Sequence, residues 1–338
     1  MEKLFIISNE SVYQEKNNFF CDNIDMKTTP EGLNSNFEIN IIARKSKKIR
    51  FHKIKLKNIN PVKNFLNFIF QVFKSLKCKK AKYLIISISP FTFLTCIFLN
   101  IFKKKPIVFL RSDGYVEYKT IFGFIGSQIY NVMFLVVSKI SVLISVSEYI
   151  LKGRKGTIVY PSQLDGEWLK NLKNANLNSI KLLYVGRLKV EKGIYSLLDI
   201  IKDNKFFNLT IVGVEKKIKH NITQNNVSFY EIETNQQKLI QHYDENNIFV
   251  LPSFTEGHPM VLLEALSRLR PVVVFEDIKH VIGDKLGVFI SERNSDSFSK
   301  TIQHIKENYI IIQNEMKKNN LPTKKNYIKD FVKAINSN

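Results

Sequence analysis

Two carboxylates and two cations carry the chemistry this chain can offer. Segment 253–275, SFTEGHPMVLLEALSRLRPVVVF, sets Glu256 and Glu264 eight positions apart. Glu256 falls at a strand-to-helix turn, with Gly257 beside it and Pro259 near the first helical position. At helical rise Glu264 lies about 12 Å further on. A ligand lying along the helix start can therefore touch both carboxylates, one with each end. The backbone N–H groups around Gly257–Met260 face it with the positive end of the helix dipole, which suits a pyrophosphate. Gly257 lets the main chain approach closely, and His258 can hydrogen-bond the ligand or simply fill the turn. The same letters have plainer readings. Ser253-x-x-Glu256 is also a capping box ahead of an apolar run, and Glu264 can be a surface residue.

A second segment, KLLYVGRLKVEKGIYSLLDII (181–201), ends a strand at Gly186-Arg187 and carries Lys192 and Gly193 into an amphipathic helix. An arginine and a lysine at the carboxyl end of a strand, beside a glycine, can clamp a diphosphate. They neutralise a departing nucleoside diphosphate without a metal, or are merely solvated loop cations. None of the six histidines stands at metal-ligand spacing, so neither metal nor other cofactor is expected.

These groups need a scaffold that brings strand ends together. Apolar runs at 4–8, 37–44, 83–89, 106–112 and 140–147 alternate with helical stretches near 61–77, 91–102 and 120–138. The alternation repeats with runs at 180–188, 208–213, 226–233, 247–253, 271–276 and 287–290. Helices are expected there near 193–204, 235–246, 258–269 and 295–318. Continuous Val/Ile/Leu strands separated by helices predict parallel sheets covered on both faces. The polar stretch 161–179 reads as a linker between domains at 1–160 and 180–318, and 319–338 as a C-terminal helix that can pack back on the first domain.

The motifs resemble the nucleotide-sugar-binding half of family 4 glycosyltransferases over residues 158–318. The resemblance rests on Gly186-Arg187 with Lys192-Gly193, on Ser253-x-x-Glu256-Gly257-x-Pro259-x-x-Leu262-Leu263-Glu264-Ala265, and on Pro271-Val272-Val273. It implies a GT-B architecture, an α/β fold of two Rossmann-like domains with parallel sheets facing a central cleft. It also implies transfer of a hexose-type sugar from a nucleotide-diphosphate sugar with retention at the anomeric carbon. By that resemblance Arg187 and Lys192 bind the diphosphate, Glu256 contacts the donor sugar and Glu264 the ribose hydroxyls. The chain departs from the family at Gly213-Val214-Glu215-Lys216, where a Gly-rich turn is usual, and at Arg270, where a glycine usually precedes the proline. The Gly-rich loop after the first strand is also missing, and SNESVYQEKNN follows instead.

The first half has its own signals. Asp113, in Arg111-Ser-Asp113-Gly114 at a strand end, can orient an acceptor or contact the donor sugar, or it can be the turn that Asp-Gly favours. Residues 39–112 hold 18 Lys and Arg and no acidic residue, within a net charge of +21. Such a surface selects anionic partners: an acidic membrane surface or a lipid-linked glycan acceptor. The helix of 61–80, basic and strongly apolar, can lie at a lipid interface or be buried in the domain. Two apolar stretches, 83–102 and 122–137, imitate membrane spans. Pro90 breaks the first, and Gly123, Gly126, Gln128 and Asn131 weaken the second. The N-terminal apolar run is too short for a secretory signal, and three scattered cysteines make no disulfide framework. A cytoplasmic protein, peripheral on the inner face of the membrane, is expected. The alternatives are a sugar-nucleotide epimerase of similar architecture and a basic nucleic-acid-binding protein. The second lacks a recognition motif and aromatic interleaving.

Overall fold

The computed structural model describes residues 1–175, 177–214 and 225–337. The chain divides into two compact units, Met1–Pro161 with Lys325–Asn338 and Ser162–Lys324. Strands of the first unit are β1 (Glu2–Glu15), β2 (Asn18–Cys21), β3 (Phe37–Ser46), β4 (His52–Ile54), β5 (Ile59–Val62), β6 (Ala81–Ile86), β7 (Ile107–Leu110), β8 (Val142–Ser145) and β9 (Thr157–Ile158). Those of the second are β10 (Ile180–Val185), β11 (Phe207–Val214), β12 (Val227–Glu231), β13 (Ile248–Leu251), β14 (Val272–Phe275) and β15 (Val288–Ser291).

In the second unit the strand order is β12-β11-β10-β13-β14-β15, with every pairing parallel. The chain winds outward one way from β10 and then returns to wind outward the other way from β13. A topological switch point therefore opens between the carboxyl ends of β10 and β13, where ligands of such sheets bind. The runs IFVL and VVVF are wholly buried, as strands covered on both faces must be.

The first unit follows the same plan, with parallel strands in the order β5-β3-β1-β6-β7-β8-β9. A bulge after Ile7 lets β1 run on through SVYQE and turn into an antiparallel β2, which carries β4. That continuation occupies the place of the Gly-rich loop that is usual in the family the motifs resemble. The helix Asp25–Leu33 keeps Pro30 in its interior because Met26, Thr28, Thr29, Pro30 and Leu33 are all buried, so packing outweighs the lost hydrogen bond. The segment 83–102 is strand β6, then a turn, then the helix Pro90–Ile101, capped by a reciprocal Ser89/Thr92 box with Pro90 at its first turn. The helix Phe65–Ser75 buries Phe68 and Val72 and leaves Leu66, Phe70 and Phe73 in solvent.

The segment read as a linker, 161–179, is instead part of the second unit. Leu164 and Trp168 are buried in its core. Two arginines, each 1% exposed, tie the segment down. Arg268 donates to the carbonyls of Trp168, Lys170 and Asn171 and grips Asp244 through two 2.8 Å bonds. Arg270 donates to the carbonyls of Lys173, Tyr243, Asp244 and Arg268. A polar segment is thus held by buried charge rather than by an apolar stripe, which explains its lack of hydrophobic period. It also explains why an arginine stands where the resembling family has glycine. The helix Lys324–Asn336 packs on the first unit, with Tyr327 bonded to Thr29 and stacked toward Phe331.

Candidate active site

The loop after β10 and the loop after β13 meet at the switch point of the second sheet. β10 ends at Val185, and Gly186 donates its N–H to Val212 while Tyr184 Oη donates to the carbonyl of Arg187, 2.8 Å away. The chain then makes a short turn, Val190–Lys192, and enters the helix Ile194–Ile201 through Gly193. Gly193 has a φ of +66°, and a Cβ there would run into the carbonyl oxygen of Pro252. Only glycine therefore permits this approach. Phe254 N–H donates to the carbonyl of Glu191 at 3.0 Å and laces the loops together.

This approach joins two of the residues singled out above. Lys192 Nζ lies 2.7 Å from Glu256 Oε1, and Ser253 Oγ donates to the same oxygen at 2.7 Å. The Ser253 hydroxyl faces a carboxylate rather than a backbone N–H, and the helix starts only at Met260 after Pro259. The capping-box reading therefore fails. The helix Met260–Ser267 has no side-chain cap, and Leu262 N–H donates to the carbonyl of Pro259; a helix start without a side-chain cap suits an anion. Gly257 and His258 lie in the partly exposed loop just ahead of it. Arg187 is exposed and has no ion-pair partner among the described residues.

Glu264 is not a surface residue. It sits in the second helical turn, 7% exposed, and accepts a 2.8 Å hydrogen bond from the buried Tyr243 hydroxyl. Burial pushes its carboxyl up to about 7, against a smaller lowering by the Tyr243 hydrogen bond. At neutral pH it can therefore accept or donate a hydrogen bond.

Asp113 lies in the first unit. Its Oδ1 accepts from Tyr115 N–H at 3.0 Å and its Oδ2 from Lys152 Nζ at 2.8 Å, and the side chain is buried. The Asp-Gly pair opens a helix rather than a tight turn, and the carboxylate considered for acceptor orientation is engaged as a cap and an ion pair. Arg111, at the same strand end, is held by Glu10 and Asp25 at 2.9 and 2.8 Å.

Sequence reasoning missed the supports of the Glu256 loop. Arg293, just beyond β15, donates to the carbonyl of Pro252 at 2.9 Å and pairs with Asp277 at 2.6 Å. Its guanidinium lies 4.0 and 4.4 Å from the ring centroids of Phe254 and Phe275. His280 Nε2 lies 2.7 Å from the carbonyl oxygen of Glu256. Neither stands in a motif. The one available signal was a cation at the carboxyl end of a strand beside the crevice. The departure at Gly213 falls at the end of β11, and Glu215 and Lys216 lie outside the described residues.

Two α/β units of this topology, with loops meeting at a switch point, form the fold of GT-B glycosyltransferases. Residues 168–321 match the family model described as glycosyl transferases group 1. A protein of the cps region of Klebsiella pneumoniae, described as an uncharacterized 41.2 kDa protein, is 28% identical over 51% of this chain and 51% of its own length. The amylovoran biosynthesis glycosyltransferase AmsD of Erwinia amylovora is 31% identical over 28% of this chain and 29% of its own. The chain spans about half the length, or less, of the curated relatives it matches. Among solved structures, Anabaena Alr3699/HepE in complex with UDP-glucose superposes with a TM-score of 0.71 at 13% identity, covering 99% of this chain and 100% of that one.

Because folding raises the Glu264 pKa above its ordinary value of 4.5, its contribution to stability is complete below that pH and is lost as pH rises through about 7. Glu264→Gln, neutral throughout and able to accept from Tyr243, should match the wild type near about pH 5 and exceed it by roughly 2–3 kcal/mol near about pH 8. Urea denaturation at both values measures this. Parallel stabilities would show that the carboxyl titrates normally.

Proposed function

We propose that this chain transfers a hexose-type sugar, with retention at the anomeric carbon, from a nucleoside-diphosphate donor to a lipid-linked or cell-surface polysaccharide precursor. The observation that carries this reading is the Lys192–Glu256 contact at the switch point, beside an exposed Arg187 and an uncapped helix start. The match of residues 168–321 to a glycosyltransferase family model favours transfer over epimerisation. The UDP-glucose bound by the Anabaena protein and the amylovoran role of the Erwinia relative support the donor and acceptor classes.

The chemistry follows from charge. Breaking the bond between the anomeric carbon and the diphosphate sends an electron pair to the leaving oxygen. Arg187, Lys192 and the helix start stabilise that charge without a metal ion. Positive charge grows at the anomeric carbon, where Glu256 is the nearby carboxylate. Retention requires the acceptor hydroxyl to enter on the face the diphosphate leaves, and a departing phosphate oxygen can take its proton. Glu264, deeper along the helix, is assigned to the ribose hydroxyls. Lys192 has two tasks: it shields Glu256 from the anionic donor and binds the phosphates.

Arg187→Ala should therefore weaken donor binding about 10- to 100-fold, the loss of one charge-assisted contact. Lys192→Ala should weaken it more, because the Glu256 charge is also left facing the phosphates. Calorimetric affinities unchanged in both variants would remove the clamp.

Glu256→Gln should lower kcat at least about tenfold without raising the donor KM, since its contact strengthens only as charge develops. Glu264→Ala should instead raise the donor KM. Initial rates with varied donor decide this. A Glu256→Gln enzyme of wild-type kcat would reduce that carboxylate to a strut for Lys192.

A further inference from the structure

Among the described residues, one helical stretch, Gly114–Ile140, is long and apolar enough to cross a membrane by length and composition. Its contacts show that it does not run straight. Gly123 has a φ of +64° and a non-helical ψ of −154°. The Tyr115 ring lies 4.9 Å from that of Tyr130, and Tyr115 Oη bonds Asn131 at 3.0 Å. In a continuous helix these residues would stand more than about 20 Å apart. A Cβ on Gly126 would strike the carbonyl of Tyr118, and one on Gly114 would strike the Tyr130 ring. These pairs share one antiparallel register centred near residue 122. The stretch is a helical hairpin of 114–122 and 124–140, closed by small residues where its arms touch.

The tip is apolar and uncovered. Ile121, Phe122, Phe124 and Ile125 are 67, 63, 72 and 70% exposed. At the base lies the exposed basic loop Lys152-Gly153-Arg154-Lys155, with Lys152 over the Tyr115 ring at 5.7 Å, and Lys119 stands near the tip. The first arm starts from the carboxyl end of β7 and the second returns to the amino end of β8. The tip therefore projects beyond the carboxyl edge of the first sheet, the edge at which ligands of such sheets bind.

We propose that the Gly123 hairpin is a membrane-insertion device. Its four tip side chains enter the acyl boundary of an anionic bilayer, while Lys119, Arg154 and Lys155 rest on the headgroups. The occupant is argued from charge. A bulky apolar tip, with Lys119 on its arm offset by the exposed Glu117 and the basic loop Lys152–Lys155 at the hairpin's base, fits a negatively charged lipid surface, where apolar burial and electrostatic attraction add. This differs from the Phe65–Ser75 helix, which keeps part of its apolar face in the unit's core. The inference extends the lipid-linked acceptor of the proposed function, because it would hold the first unit's ligand edge against the membrane.

The test is co-sedimentation of the full chain with phosphatidylglycerol/phosphatidylcholine vesicles. Phe122→Asp with Phe124→Asp should lose about tenfold or more in vesicle affinity at low and high salt alike. Both side chains are exposed, so the fold should persist, as circular dichroism would verify. Arg154→Glu with Lys155→Glu should lose only the salt-sensitive part. In Phe124→Trp the added indole should shift its emission to the blue on vesicles and be quenched by brominated lipid, against the buried Trp168. Wild-type binding by the aspartate variant, an indole at position 124 that brominated lipid leaves unquenched, or a tip-dependent dimer that ignores vesicles would each overturn the proposal. UDP binding is measured alongside. Insertion without it would leave the hairpin standing and the donor assignment fallen, and the reverse result would separate them the other way.

Discussion

The candidate site depends on one close approach, that of Gly193 to the carbonyl of Pro252. It puts the turn bearing Lys192 against the loop bearing Glu256, so that opposite charges from strands far apart in sequence meet at 2.7 Å. An ion pair that is partly exposed adds little stability by itself. Its value here is positional. Each group fixes the other, and a bound anion can compete for the lysine. Arg293, with its guanidinium over the rings of Phe254 and Phe275, and His280 then hold the Glu256 loop from behind. Catalytic groups need such a supporting shell to keep their geometry.

Buried charge has a structural role elsewhere in the same unit. Arg268 and Arg270 hang a polar segment from the end of the helix that carries Glu264, and Asp244 balances them. The same helix thus bears a carboxyl pushed up to about 7 near its start and two buried guanidinium groups just past its end. This helix is anchored by interactions that a hydrophobic pattern does not show.

Much of this was legible in the amino-acid order, and the failures have physical causes. The long Val/Ile strands could be read because both their faces are covered. β2, β4 and β5 were missed because NFFC, HKI and INPV are too short for a period, and β5 tolerates Pro61 because it pairs with β3 alone. Glu256 and Lys192 were legible as types at strand ends, but their contact depends on a fold-back that no local pattern encodes. Asp113 reads as a catalytic candidate that orients an acceptor or contacts the donor sugar, or as a turn; it caps a helix instead, because Asp-Gly is also how a capped helix can begin. The 114–140 hairpin was hidden for a similar reason. Its glycines read as weak points in a span, whereas Gly123 makes the turn and Gly126 lets the arms touch.

The central claim is that the loops at the switch point of the second sheet form a nucleoside-diphosphate-sugar site that needs no metal. A thermal-shift panel of nucleotide sugars, with UDP-glucose first and excess EDTA present throughout, tests it most directly. Ligand at about one hundred times its Kd stabilises a folded protein by about 2.7 kcal/mol. The account predicts a rise of several degrees with at least one donor, undiminished by EDTA and lost in Lys192→Ala. No rise with any nucleotide sugar, or a rise that survives the loss of Lys192, would contradict it.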